Sequence, residues 1–174
     1  MLNQAVNGYT NFELGLYLKG LFLIQGSSYY AIAVFAVLLQ VLASNKWLGM
    51  AFILVFFIGF SSLDGFGFEH ALYNFGIPSG LMVHSDMNGY GHYMPAFNTL
   101  VGYWSFFCVL LVVASHLMFP RGRTTGIGER LSLARRRVTT PIVTVSMVAL
   151  VGFIGFGTWY FYNTNILNQY VVEE

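Results

Sequence analysis

Four apolar stretches in one short chain constrain this sequence more than any other feature. A helix needs about 20 mainly apolar residues to cross the hydrocarbon core of a bilayer. Residues 21–43, 47–63, 97–119 and 142–162 meet or approach that length with almost no charge. The first is interrupted by Gln25 and the Gly26-Ser27-Ser28 step, and the second is slightly short. The third is closed by Pro120 and the fourth opened by Pro141. One such run would fit a buried core helix, but four in 174 residues leave too little polar sequence to wet a soluble surface. Only 9% of the residues are charged and 56% are hydrophobic, whereas soluble domains carry about 25% charged residues. The sequence therefore predicts an all-α integral membrane protein of four transmembrane helices, one membrane domain over residues 1–174.

The few charges give that domain an orientation. Six of the eight basic residues, all arginine, lie in the 120–141 connector, Lys46 sits between the first two stretches, and residues 64–96 hold no Lys or Arg. Lys and Arg are enriched in cytoplasmic loops. The pattern predicts a basic inner loop at 120–141, an outer loop at 64–96 and both termini extracytoplasmic. The segment NFELGLYLKG at 11–20 fits either an interfacial helix or an extension of the first span. Residues 1–15, MLNQAVNGYTNFELG, hold no Lys or Arg, so the N-terminus does not resemble a secretory signal and reads as the middle of a longer polypeptide.

Candidate chemistry concentrates in the two loops. The outer loop holds His70, His84, Asp86 and His92, side chains of the kind that ligate zinc. None of these pairs has the spacing that sets two ligands on one helical face, so hydrogen bonding within an ordered loop is the competing reading. Glycines at 65, 67, 76, 80, 89 and 91, with Pro78 and Pro95, favour tight turns. The rings of Phe66, Phe68, Tyr73, Phe75, Tyr90 and Tyr93 are expected to fold back over the outer ends of the second and third spans.

The inner loop predicts a short amphipathic helix over Glu129–Val138, with Leu131 and Val138 on one apolar face. Arg130, Arg135, Arg136 and Arg137 are its candidates for contact with anionic lipid or a cytoplasmic partner. GRTTGIG lacks the Gly-Lys-Ser/Thr ending of a phosphate-binding loop. His116 is the lone histidine of the spans, too few for a two-ligand haem, and no span holds a carboxylate for a proton relay. Apart from zinc in the outer loop, no cofactor is expected, and nothing points to nucleic acid. Ser146, Ala149, Gly152 and Gly155, followed by Gly157, form a small-residue stripe suited to close helix packing.

Three motifs carry a family resemblance: SDMNGYGH at Ser85–His92, ERLSLARRR at Glu129–Arg137 and WYFYNTNILNQY at Trp159–Tyr170. With them the chain, from Leu16 onward, resembles large bacterial membrane proteins in which an ABC-transporter permease-like region precedes a gluzincin-type zinc aminopeptidase domain. The resemblance implies the last membrane block of such a protein, in the bacterial inner membrane. It also implies a cytoplasmic ATPase subunit as partner, with further membrane spans or a peptidase-like domain beside it. The alternative it leaves is a structural membrane anchor that positions the peptidase domain. The His-Glu-x-x-His zinc motif of the peptidase half does not occur here, so no catalytic residue carries over and enzymatic activity would belong to the parent protein.

Overall fold

The computed structural model describes residues 8, 14–43, 45–61, 70–73, 75–76, 82, 89–91, 93–119 and 126–168. These are all-helical in architecture. Helix α1 spans Leu14–Leu42, α2 Lys46–Ser61, α3 Met94–Met118, α4 Ile127–Arg137 and α5 Thr140–Leu167. Helices α1, α3 and α5, of 29, 25 and 28 residues, are long and apolar enough to cross a membrane. Their exposed surface is rich in apolar side chains, with Val37, Val112 and Val151 beside aromatic Phe22, Trp159 and Phe161, as bilayer contact favours. The chain is a multi-pass membrane protein. Helix α2 is equally apolar but only 16 residues long.

Local sequence explains most of the helix ends. Pro95 and Pro141 occupy the first turns of α3 and α5, where a missing N–H costs nothing and the fixed φ is already helical. Phe119, before Pro120, is extended at φ −61° and ψ 118°, the conformation that proline imposes on its predecessor. Asn45 caps α2, its Oδ1 accepting from the Trp47 N–H at 2.7 Å. Of the 11–20 segment, residues 14–20 extend the first helix, since α1 continues without a break from Leu14, and residues 11–13 lie outside the described residues. Within α1, Lys19–Gln25 takes wider π-helical turns, and the Ser27 hydroxyl donates to the Ile24 carbonyl at 2.7 Å where they end.

Helices α3 and α5 share the most extensive interface, built by setting rings on glycines. A Cβ added to Gly102 would lie 2.6 Å from the Phe156 ring, one on Gly152 2.7 Å from Phe106 and one on Gly157 2.9 Å from Tyr103. Tyr103 and Phe153 stack beside them, with centroids 4.4 Å apart. The small-residue stripe is used in part: Ala149 is buried and Gly152 receives a ring, but Gly155 faces open space and Gly157 takes the next contact. A repeat of three drifts off a helix face whose true period is 3.6. Span hydroxyls are satisfied locally, Ser115 donating to Leu111 O at 2.8 Å and Ser146 to Ile142 O at 2.8 Å.

Candidate functional site

The arginine helix α4 is fastened at two points. Arg130 is buried, and its guanidinium donates to the carbonyls of Val41, Leu42 and Ala43, the last two at 3.0 and 3.4 Å. Arg137 donates to the carbonyls of His116, Leu117 and Phe119 at 3.2, 3.3 and 2.6 Å. These acceptors are the terminal carbonyls of α1 and α3, which have no partner within their own helices. A cation there also opposes the negative end of each helix dipole. One short helix thus ties two long ones together through their C-termini.

Of the four arginines singled out by sequence, Arg130 and Arg137 are engaged internally, while Arg135 and Arg136 are exposed. The expected apolar face shifts: α4 ends at Arg137, Val138 is extended, and Leu131 and Val138 are both about half exposed, at 51% and 49%. Its buried face consists of Arg130 and Ala134.

At the opposite end, residues 70–73 and 75–76 return to the bundle. Phe75 lies among the rings of Phe35 and Phe56 at 5.3 and 6.0 Å and of Trp104 and Phe107 at 5.0 and 6.1 Å, bridging α1, α2 and α3. Gly76 follows at φ +89° against the backbone of Ser28, a left-handed conformation that glycine reaches without steric cost. Tyr90 and Met82 join Phe75 against the core of Ile24, Phe97, Leu100 and Trp104.

His70 fixes this segment to α5. Its Nδ1 accepts from the Leu72 N–H at 3.2 Å, which leaves Nε2 to carry the proton and donate to Thr164 Oγ1 at 3.3 Å. Thr164 passes its own proton to Tyr160 O at 2.9 Å, and the Asn165 amide lies 3.2 Å from the imidazole. Burial holds the His70 pKa below its ordinary value of 6.5. No group of three metal-ligating side chains occurs among the described residues, and His84, Asp86 and His92 lie outside them. Around its ring, His70 has the Thr164 hydroxyl as acceptor and the Leu72 N–H as donor.

Between these ends a cleft of about 430 Å³ separates α1 from α3. Its walls are mostly apolar, with Phe22, Val34, Val101 and Trp104 among them, Lys19 at one end and Cys108 at the other. The buried Trp104 indole N–H has no hydrogen-bond partner among the described residues. Sequence reasoning had no signal for this cleft, because the residues lining it read as ordinary span.

No protein-family model matches the chain, and no curated protein or solved structure is similar to it.

Proposed function

We propose that this chain is a permease-like transmembrane segment of an ABC-type transporter in a bacterial inner membrane, working with a cytoplasmic ATPase. In this reading it crosses the bilayer four times with both termini outside, and further spans or an aminopeptidase-like domain join it in a larger polypeptide. Helix α2 serves as the fourth span. At 1.5 Å per residue it covers about 24 Å, a shortfall that local thinning and interfacial anchors accommodate. Lys46, 5.2 Å from the Trp47 ring centroid, supplies such an anchor at its start.

The observation that carries the reading is the division of labour among the α4 arginines. Arg130 and Arg137 hold the ends of α1 and α3, while Arg135 and Arg136 stay exposed on the same short helix. A partner with an acidic surface that engages the free pair would displace both long helices through one rigid lever. A photo-crosslinking residue in place of Arg135, activated in native membranes, tests this. An ATP-hydrolysing subunit in the adduct is the expected result, and adducts with lipid alone would contradict it.

A second reading, a structural anchor for an extracytoplasmic zinc peptidase domain, draws on the His70 contacts, which stiffen the far end of α5 where such a domain would follow. Replacing the spans by an unrelated anchor separates the two: the second reading expects peptidase activity to persist.

A further inference from the structure

The cleft between α1 and α3 has a depth and polarity that match one leaflet of a bilayer. Lys19 stands about 35 Å along α1 from Leu42, taking 1.5 Å per residue. A hydrocarbon core of about 30 Å therefore leaves the Lys19 ammonium at headgroup level when the arginine-capped end of α1 sits at the opposite interface. Cys108, the inner limit of the cleft, lies about 15 Å along α3 from Met118, near the bilayer midplane. Between those levels the cleft is apolar, at about 430 Å³ within the range of small-molecule sites.

Two further features set this cleft apart from an ordinary groove between helices. The π-helical turns of α1, Lys19–Gln25, supply its outer wall through Lys19, Phe22, Leu23 and Ile24. Such turns widen a helix at a cost and recur at functional sites. Lys19 is also the only cation described on that side of the molecule, since Lys46 and the α4 arginines gather at the other end.

We propose that the cleft is a lipid site: it takes one acyl chain of an anionic phospholipid from the Lys19 leaflet, with the lipid phosphate paired to the Lys19 ammonium. An apolar wall alone would accept any chain, and the lysine at its mouth selects the negative headgroup. The site does not depend on the transport reading, because a structural anchor would bind the lipid equally well.

Trp104 provides the reporter. It is 7% exposed in the cleft wall, whereas Trp47 and Trp159 are 67% and 59% exposed. With Trp47→Phe and Trp159→Phe in place, the full chain is reconstituted into phosphatidylcholine nanodiscs containing a minor fraction of lipid brominated at mid-chain. Brominated phosphatidylglycerol is expected to quench Trp104 at a fraction about fivefold lower than brominated phosphatidylcholine, the preference one lysine confers at an anionic surface. Lys19→Gln, at an exposed position that leaves the fold intact, should make the two lipids equivalent. Ala31→Leu, which fills the cleft from the α1 side, should weaken quenching by both. Equal quenching by the two lipids with Lys19 present, or a preference that survives Lys19→Gln, would overturn the proposal.

Discussion

At the end of the bundle that carries α4, two guanidinium groups reach the carbonyls terminating α1 and α3. At the other end, a phenyl ring and a neutral imidazole join the returning residues 70–73 and 75–76 to the helices. The difference follows from chain direction. Helices α1 and α3 both finish at the arginine end, so two sets of unpaired carbonyls meet there, and only strong donors satisfy them in a poorly solvated place. The histidine end receives the starts of α1 and α3, and what it must bury is a loop rich in rings. Charge closes one end and apolar surface the other.

The largest effect should come from breaking the charged end. Arg130→Met removes donors to three carbonyls and should cost about 3 kcal/mol, read as a lower melting temperature in detergent micelles. Arg135→Met, on the same helix but exposed, should leave melting unchanged. Equal behaviour of the two variants would show that the clasp does not hold the helices. Next, Phe75→Ala withdraws the ring that bridges three helices and should cost about 2 to 3 kcal/mol, while Tyr73→Ala, at 57% exposure, should cost little.

A smaller change midway tests whether the two ends act on a common body. Gly152→Ala places a Cβ 2.7 Å from the Phe106 ring, and overpacking of this kind costs about 1 to 3 kcal/mol. Gly155→Ala meets nothing within 4 Å and should be silent. If both glycine variants melt alike, the ring-on-glycine seam is not what joins α3 to α5.

Acid should separate the two ends with the smallest effect. His70 is held neutral, its pKa below the ordinary 6.5, so unfolded chains bind the extra proton first. Its contribution is complete above pH 6.5 and is lost as pH falls below that value through the lowered folded-state pKa. Protection of the Leu72 amide, taken as its exchange rate relative to the free-amide rate at the same pH, should fall on acidification, and His70→Gln should abolish that dependence. Protection of the Ala43 amide at the arginine-capped end of α1 should show no matching change, because guanidinium stays charged throughout.

The helices themselves were legible in the sequence because length and apolarity are local properties, and prolines mark where α3 and α5 begin. The charged segment at 11–20 was ambiguous because Lys19 interrupts an apolar run. The structure continues the helix through residues 14–20. The arginine cluster was visible, but not its division: Arg130 and Arg135 have the same chemistry, and only the position of Val41–Ala43 in space makes one a clasp. The same holds for His70, whose partner Thr164 lies 94 residues away in sequence. Phe75 and the seat of Phe106 on Gly152 were likewise hidden, since sequence gives ring content without register. The zinc ligands expected beside His70 fall outside the described residues, and His70 itself donates to the Thr164 hydroxyl.

The proposed function places the two ends on opposite sides of the membrane, the arginine end inward. The direct test is thiol labelling in intact cells, with Cys108→Ala removing the native thiol and a single cysteine placed by Tyr73→Cys or Ser132→Cys, both at exposed positions. A membrane-impermeant maleimide should modify the Tyr73→Cys protein from outside and the Ser132→Cys protein only after the membrane is opened. Labelling of both positions from outside, or of Ser132→Cys alone, would contradict the account.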